Sequence, residues 1–276
     1  MHSPLITIYM PTHNRLNNLK RAVNSVLLQD YSNWELIIVN DGSADGTKEY
    51  LAQLVKSEKR ITAYHNDTAY GACAARNTAI KAASGEYITG LDDDDEFTTN
   101  RLSYFLNNWC DKYSSLCTPV TICNGKTQVA HHFFIGELTL NDLLVINKVG
   151  NQLFCKTDDL KKIDGFDAEF KAWQDYDTWV RFFKHHGKGL KLPSSTYLQY
   201  EVQSKASITR SPNRLVGFKQ FLKKHSSLMN NKQLNAMKCW EAIICGKWIS
   251  LLLLFKSHRD IYKYAVFHNI KKLLGR

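Results

Sequence analysis

The sequence predicts an α/β protein with a mostly parallel sheet flanked by helices, followed by a helical C-terminal extension. Strand and helix patterns alternate through the first hundred residues, which is typical of βαβ units. Several of these strands end in clusters of polar residues, where ligands bind in such sheets. The chain of 276 residues is 44% apolar with only 5 prolines, so it can bury a core.

The elements follow one another in a regular order. Apolar runs predict strands over residues 5–10, 35–40, 61–65 and 86–91. Apolar residues at helical spacing, or alanine-rich composition, predict helices over residues 15–29, 47–56 and 72–83. Beyond residue 98 the pattern is weaker, and it predicts strands over 119–123, 128–135 and 152–155 and a helix over 176–185.

Charge divides the chain into two parts. Residues 205–276 carry 15 lysines and arginines against Glu241 and Asp260, a balance of +13. Residues 1–204 carry 21 against 24 acidic residues, a balance of −3. We therefore predict a main domain over 1–204, with halves 1–97 and 98–204, and a basic helical region over 205–276. The basic region indicates an anionic partner such as lipid head groups or nucleic acid.

The basic region contains three stretches in which apolar residues recur at helical spacing beside lysines. These stretches are Leu215, Phe218, Phe221 and Leu222; Trp248, Leu251, Leu252 and Phe255; and Tyr262, Val266, Phe267 and Ile270. Basic helices with aromatic and leucine faces commonly lie in the membrane interface. The alternative is that these faces pack on the main domain while the lysines are solvated.

Cysteine usage and the termini bear on the compartment. The seven cysteines form no Cys-x-x-Cys pair, which favours reduced thiols in the cytosol. The apolar start has no basic segment before it, so we expect no signal peptide. The apolar run at 251–255 is too short to span a bilayer.

Four consecutive aspartates, Asp92, Asp93, Asp94 and Asp95, end the strand predicted over 86–91. Like charges this close destabilise one another unless a cation lies among them. In extended chain Asp92 and Asp94 point to one side and Asp93 and Asp95 to the other. Two carboxylates on one face suit a divalent ion that also holds phosphates. The alternative, an acidic turn or a helix N-cap before 98–109, accounts for only one or two of the four.

Other polar residues end the neighbouring strands and should face the same crevice. They are Pro11, Thr12 and His13 after the first strand and Asn40 and Asp41 after the second. Neither a dinucleotide-binding glycine pattern nor a P-loop is present, so we expect a metal to handle phosphate. The ten histidines show no helical spacing of a zinc site.

A series of motifs carries a family resemblance over residues 5–183. They are IYMPTHNR, VNDGSADGT, GACAARNTAIKAASGEYITGLDDDDEF, GFDAEF and WQDYDTWVR. In their order and spacing the chain resembles the inverting glycosyltransferases of family 2, which have the GT-A fold. Within that family it is most similar to bacterial hexosyltransferases that build O-antigen, capsule or colanic-acid-like polysaccharide.

The resemblance implies a set of donor-site residues. The implied contacts to the nucleotide are Pro11, Thr12, Asn14, Arg15, Asp41, Arg76, Asp92 and Asp93. Among them, Asp41 would accept a hydrogen bond from uracil N3–H. The implied metal ligands for Mn²⁺ or Mg²⁺ are Asp94 and Asp92.

The resemblance also implies that Asp175 is the catalytic base. Asp175 alternatively caps the helix over 176–185. Asp177 is a rival base, and because it lies about 200° around the helix from Asp175, only one of them can face the cleft. Trp173, which either stacks on a sugar or is buried, and Gln174 are placed on the acceptor side. The family usually has an acidic residue where this chain has Gln174.

The implied activity is transfer of a hexose from a UDP-sugar, such as UDP-galactose or UDP-glucose, to a hydroxyl of a lipid-linked saccharide. The acceptor would be carried by a polyprenyl diphosphate at the inner face of the bacterial cytoplasmic membrane. A nucleic-acid-binding protein would account for the basic region, but residues 1–204 have the wrong sign, so no nucleic-acid partner is expected. Another nucleotide-binding α/β enzyme should have a glycine-rich loop where this chain has Pro11 and Thr12.

Overall fold

The computed structural model describes residues 3–124, 128–131, 134–200 and 213–274. Within them the chain forms an eight-stranded sheet, a four-stranded sheet and helices on both sides. The α/β class with a mostly parallel sheet and C-terminal helices is therefore confirmed. The domain boundary predicted at residues 204 and 205 lies outside the described residues.

The strands and helices have the following bounds. The strands are β1 Ile6–Thr12, β2 Trp34–Asp41, β3 Ile61–Asn66, β4 Tyr87–Gly90, β5 Glu96–Phe97, β6 Ser115–Cys117, β7 Val120–Cys123, β8 Gln128–His131, β9 Gly136–Leu138, β10 Phe154–Lys156, β11 Gly189–Lys191 and β12 Tyr197–Tyr200. The helices are α1 Leu16–Leu27, α2 Thr47–Ser57, α3 Ala72–Ala82, α4 Arg101–Asn107, α5 Leu140–Leu143, α6 Thr157–Lys162, α7 Gln174–His186, α8 Asn213–His225, α9 Asn231–Ile244, α10 Leu251–Phe255 and α11 Tyr262–Leu273.

The large sheet has the order β3-β2-β1-β4-β10-β6-β11-β9. Its first four strands are parallel, and β10 runs antiparallel to both of its neighbours. Thr12 lies opposite Asn40, and Tyr9 lies opposite Gly90, so β1, β2 and β4 end at the same edge. A Cβ at Gly90 would come within 2.4 Å of the Tyr9 ring and 2.2 Å of Gln152 Oε1, so only glycine fits beside this strand end.

The small sheet has the order β5-β12-β7-β8 and adjoins the run of four aspartates. Its first strand, β5, begins directly after Asp95, and the backbone N–H of Tyr200 in β12 donates to Asp95 Oδ1 at 3.0 Å. Sequence analysis missed β5, β6, β9, β11 and β12. Strands of two to four residues are too short for periodicity to show.

Helix α8 packs on the main domain. Phe218 and Phe221 are fully buried, and their rings lie 5.3 and 5.4 Å from the ring of Trp173. A Cβ at Gly217 would come within 2.3 Å of the Ala172 carbonyl oxygen, so the two backbones are in close contact. The membrane interpretation was therefore wrong for this first stretch, because its aromatic face meets protein.

The rest of the C-terminal region shares the same core but leaves one side open. Ala236 and Met237 of α9 and Ala265 of α11 are buried in the cluster that contains Phe218. The large apolar side chains on the outer side of α10 and α11 are exposed. No helix among the described residues has the length and apolar character needed to cross a bilayer.

The packing of α8 gives a first testable expectation. Phe221→Ala should lower the free energy of unfolding by about 3–5 kcal/mol, because it removes a fully buried aromatic ring. Val216→Ala is the matched control on the same helix, and since Val216 is 46% exposed it should change stability by less than about 1 kcal/mol. Urea unfolding followed by circular dichroism measures both. Equal stabilities of the two variants would contradict this account of α8.

Candidate active site

The polar residues at the ends of β1, β2 and β4 come together at one edge of the large sheet. The Thr12 hydroxyl donates to Asp93 Oδ2 at 2.7 Å. His13 Nδ1 lies 2.6 Å from the Asp41 carbonyl oxygen. Pro11 is buried in β1 opposite Val39 of β2. The predicted convergence of these polar residues at one edge of the sheet is thus present.

The four aspartates form what we call the acidic turn (Asp92, Asp93, Asp94 and Asp95). The Asp95 N–H donates to the Asp92 carbonyl at 3.1 Å, so the chain bends here rather than remaining extended. Asp93 and Asp95 are 4% and 3% exposed, whereas Asp92 and Asp94 are partly exposed. Exposure alternates along the turn, with Asp92 and Asp94 on the open side. The side chains do not simply point to opposite sides, as predicted for extended chain, because Arg15 Nη1 contacts both Asp93 and Asp94.

The acidic turn carries more negative charge than the arginines near it neutralise. Burial raises the pKa of Asp93 to about 6, against the opposing effect of Arg15. Burial also raises the pKa of Asp95 to about 8, and the charges of Asp92 and Asp94 add to the shift. The pKa of Asp94 is raised by burial and by Asp92. A cationic ligand would stabilise the ionised turn.

Three arginines reach the acidic turn: Arg21 donates to the Asp94 carbonyl, and Arg15 and Arg76 pair with carboxylates of the turn. Arg15 Nη1, whose side chain is half exposed, lies 3.0 Å from Asp93 Oδ1 and 2.8 Å from Asp94 Oδ2. Arg76 Nη2 of α3 donates to Asp92 Oδ1 at 2.7 Å. Burial alone would lower the pKa of the Arg76 guanidinium, but the Asp92 carboxylate raises it above its ordinary value.

The Arg76 guanidinium is only partly satisfied. Arg76 is 9% exposed, and its Nε and Nη1 atoms are buried with no hydrogen-bond partner among the described residues. Buried donors are normally paired, because leaving one unpaired costs about 1–3 kcal/mol. Arg76 is therefore suited to receive the oxygen atoms of an anionic ligand such as a diphosphate.

Asp41 is buried and holds the loop between β3 and α3. Its Oδ1 accepts from Asn66 Nδ2 at 2.8 Å and from the Tyr70 N–H at 2.9 Å, and its Oδ2 accepts from the Gly71 N–H at 2.7 Å. Oδ2 retains one lone-pair direction for a further donor. The contact between Asp41 and a nucleobase stays a prediction.

Asn14 joins two loops beside the crevice. It has a φ of 52°, its N–H donates to Ser43 Oγ at 2.9 Å, and its Oδ1 accepts from the Ala44 N–H at 2.7 Å. These bonds tie the loop after β1 to the loop after β2. Asn14 therefore fixes the position of its neighbour Arg15, and a contact of its own with the nucleotide stays a prediction.

Asp175 lies in the first turn of α7. The helix begins at Gln174 and its N-cap is Trp173, so the interpretation of Asp175 as an N-cap was wrong. Asn147 Nδ2 donates to Asp175 Oδ2 at 3.3 Å. Burial raises the pKa of the Asp175 carboxyl, with further electrostatic effects from Arg76 and Asp92. The structure thus brings Asp175 within electrostatic range of the donor-side residues.

Asp177 has a different environment. It is fully buried, and its carboxylate lies 2.8 Å from Arg181 Nε, 3.0 Å from Lys224 Nζ and 2.8 Å from His225 Nε2. Burial alone would raise the pKa of Asp177, but His225 and Arg181 hold it below its ordinary value. Asp175 and Asp177 do face opposite sides of α7, as predicted. Asp177 cannot reach an acceptor, and it binds α7 to α8 instead.

Trp173 and Gln174 precede the base candidate. The Trp173 ring stacks on Tyr176 at 5.4 Å and contacts Phe218 and Phe221 of α8, with the backbone at φ 66°. Trp173 therefore belongs to the contact between α7 and α8, and its stacking on a sugar stays a prediction. Gln174 is half-buried beside Asp175.

Sequence analysis missed the loop at residues 145–151, which carries Asn147. Trp179 Nε1 donates to the Gly150 carbonyl at 3.0 Å, and Lys191 Nζ donates to the Lys148 carbonyl at 2.7 Å. From the C-terminal region, Trp240 Nε1 donates to the Val145 carbonyl at 2.8 Å. The asparagines and glycine of the loop indicate a turn in the sequence, but nothing there indicates its place beside Asp175.

The acidic turn fits a divalent cation that is shared with a ligand. In the part of the chain that the structure describes, no three His, Cys, Asp or Glu side chains converge as a ready metal site. Mg²⁺-type sites in nucleotide enzymes commonly use one or two carboxylates and complete the shell with phosphate oxygens and water. Asp92 and Asp94, on the open side of the turn, are the carboxylates that could serve.

Comparisons with known proteins place the chain in a family. The model of glycosyl transferase family 2 matches residues 7–160, more than half of the chain. The protein therefore belongs to glycosyl transferase family 2 and is an enzyme of the transferase class. The resemblance carried by the sequence motifs is confirmed.

Two relatives are similar over most of their lengths. The putative colanic acid biosynthesis glycosyl transferase WcaA of Escherichia coli K12 is 41% identical over 232 residues, which cover 81% of this chain and 82% of WcaA. The UDP-Glc:alpha-D-GlcNAc-diphosphoundecaprenol beta-1,3-glucosyltransferase WfgD of Escherichia coli is 33% identical over 190 residues, which cover 67% of this chain and 72% of WfgD.

Solved structures share the fold. Staphylococcus aureus TarS superposes with a TM-score of 0.66 at 16% identity over 96% of this chain, which spans 53% of that TarS chain. TarS 1–349 in complex with UDP-GlcNAc gives a TM-score of 0.62 at 16% identity, covering 98% of this chain and 92% of that one. At this identity the likeness concerns the fold alone.

The pairing of Asp177 leads to an expectation about acid stability. Its pKa is lower in the folded protein than the unfolded value of about 3.9, so its stabilisation is present above that pH and is lost as pH falls through the folded value. Asp177→Asn should lower the free energy of unfolding by about 2–3 kcal/mol near neutral pH, less than for a fully enclosed pair because Lys224 is 34% exposed.

The measurement is urea unfolding of wild type and Asp177→Asn at neutral pH and below about pH 3. The difference between them should shrink at the lower pH. Asp158→Asn, which changes an exposed aspartate of α6, is the control and should match wild type at both pH values. A difference that is independent of pH would contradict the charge pairing.

Proposed function

We propose that the protein is a metal-dependent inverting glycosyltransferase of bacterial surface polysaccharide assembly. It moves a hexose from a nucleotide-diphospho-sugar, in particular UDP-glucose or UDP-galactose, to a hydroxyl of a lipid-linked saccharide. The observation that carries the proposal is the acidic turn with Arg76 at the carboxyl edge of the sheet, within electrostatic range of Asp175.

The donor diphosphate binds beside the acidic turn, where Arg76 and Arg15 lie next to its carboxylates. Arg76 offers its two unpartnered nitrogen atoms, Nε and Nη1, as donors to phosphate oxygens, and Arg15 supplies a second guanidinium on the exposed side. Asp93, held by Thr12, and Asp41 lie on the nucleoside side of the crevice. Arg15 pairs with Asp93 and Asp94 and is half exposed, so it can exchange a carboxylate for a phosphate.

Asp94 and Asp92 are the residues that would hold Mn²⁺ or Mg²⁺. When bound, such an ion neutralises charge on the departing diphosphate, a Lewis-acid contribution. The raised pKa of Asp94 supports this assignment, because its ionised form is destabilised by burial and by Asp92 until a cation is present. Arg76 offsets the charge of Asp92 from the protein side.

Asp175 acts as the general base. It takes the proton from the acceptor hydroxyl while that oxygen forms a bond to the anomeric carbon. The bond from the anomeric carbon to the diphosphate oxygen breaks, and its electron pair leaves with the nucleotide. Attack opposite to the leaving group inverts the anomeric configuration without a covalent intermediate. The raised pKa of Asp175 makes it a stronger base than an exposed carboxylate, and Asn147 fixes one of its oxygens.

The relatives support the substrate assignment. The name of WfgD specifies a UDP-glucose donor and an acceptor on undecaprenyl diphosphate, and that of WcaA specifies colanic acid biosynthesis. The TarS complex holds UDP-GlcNAc. A polyprenyl-linked acceptor places the reaction at the inner face of the cytoplasmic membrane, with this protein peripheral to it. No nucleic-acid partner is required.

The metal assignment is tested by Asp94→Asn. Transfer should fall on the order of 100-fold or more, because Lewis-acid assistance is worth several kcal/mol. The thermal stabilisation of the protein by UDP plus Mn²⁺ should disappear as well. Asp111→Asn, which changes an exposed aspartate outside the acidic turn, should behave as wild type in both measurements. Full activity of Asp94→Asn, or of wild type in excess EDTA, would refute the assignment.

The base assignment is tested by Asp175→Asn, which keeps the size of the side chain and removes the proton acceptor. The kcat should fall by roughly 10²–10⁴ while the affinity for the UDP-sugar changes little. The control is Asp158→Asn, because Asp158 also lies in the first turn of a helix but is exposed to solvent. The assay pairs UDP-glucose or UDP-galactose with lipid-diphosphate-linked N-acetylglucosamine. Unchanged turnover in Asp175→Asn would show that another group takes the proton.

A further inference from the structure

Exposed apolar side chains are concentrated on the outer side of α10 and α11. Among the described residues, 17 large apolar side chains are exposed, and ten of them lie between positions 248 and 274. We call this surface the C-terminal apolar face. Its six most exposed members, with 58–84% of their surface accessible, are Leu251, Leu252, Phe255, Phe267, Leu273 and Leu274. Exposed patches of this kind mark interaction sites.

The helices that carry the C-terminal apolar face are packed on the core by their inner sides. Asn269 of α11 donates to the Ile249 carbonyl at 2.9 Å and accepts from the Ile249 N–H at 3.1 Å, which fastens the start of α10 to α11. Ile249, Ile261 and Ala265 are buried against the core on the inner side. The exposed side chains of α10 and α11 are therefore carried by helices that are packed on the rest of the protein.

Exposed basic residues alternate in sequence with those of the C-terminal apolar face, and we call them the basic rim. Six basic residues between positions 247 and 272 are exposed: Lys247, Lys256, Arg259, Lys263, Lys271 and Lys272. The only acidic residue after position 241 is Asp260, whose carboxylate lies 2.7 Å from Lys148 Nζ. The rim therefore has a strong net positive charge, and a partner with negative charge complements it.

We infer that the C-terminal apolar face docks on an anionic lipid bilayer. Its leucine and phenylalanine side chains enter the boundary between head groups and acyl chains, while the basic rim meets anionic head groups. A second copy of the chain would bring two basic rims together, and aliphatic leucines do not stack on nucleic-acid bases. The inference rests on the proposed function in one respect: an acceptor that is linked to a membrane lipid gives the protein a reason to bind the bilayer.

The test is co-sedimentation of the full chain with vesicles that contain neither donor nor acceptor. Wild type should sediment with phosphatidylcholine vesicles that contain phosphatidylglycerol, less with phosphatidylcholine alone, and less as salt increases. The triple variant Leu251→Gln, Phe255→Gln, Phe267→Gln should lose binding on the order of 100-fold, because three large apolar groups no longer leave water. Circular dichroism melting checks that the variant is folded.

The matched control changes three exposed apolar residues elsewhere, Leu28→Gln, Val129→Gln and Val216→Gln, and should bind as wild type. Wild type that stays in the supernatant, or a triple variant that binds equally well, overturns the inference. A dimeric wild type and a monomeric triple variant, neither of which binds vesicles, would instead identify the face as a subunit contact and also overturn it. Since no substrate is present, these results are independent of whether the proposed transfer reaction is correct.

Discussion

Compensation of negative charge at the acidic turn is the interaction on which the rest of the crevice depends. Four adjacent carboxylates in a partly buried turn cannot all be ionised without cations nearby. Arg15 and Arg76 come from the connections after β1 and β3, which the parallel order of the sheet delivers to the same edge. A cationic ligand would offset the negative charge that remains, so cation binding and ionisation of the turn favour each other.

Helix α7, which carries the base candidate Asp175, is held in place by residues of α8. Asp177, one half-turn from Asp175, is bound by Lys224 and His225 of α8, and the aromatic rings of Trp173 and Phe221 pack beside this ionic contact. The orientation of α7 therefore depends on residues that lie beyond position 212. The C-terminal helices therefore help to hold the first turn of α7, which carries Asp175, and they also carry the basic charge.

Much of the parallel half of the fold was predictable from the sequence, because apolar runs buried on both faces and punctuated by residues such as Pro11 and Gly42 leave a strong local signal. The site was predictable where its residues end those strands. Asn147 was not, because its contact with Asp175 joins positions 28 residues apart. The face with Phe218 and Phe221 was misjudged, because an apolar helix face beside lysines has the same pattern whether protein or lipid covers it.

The loop at residues 145–151 bears on how parts of this family can be recombined. Lys148 bridges Asp142 of α5 and Asp260, at 3.1 and 2.7 Å, and Trp240 holds the Val145 carbonyl. A chimera that exchanges the C-terminal helices for those of another member would separate Lys148 from Asp260 and the Val145 carbonyl from Trp240. The loop and the C-terminal helices therefore have to be exchanged as a single module, although about a hundred residues of sequence separate them.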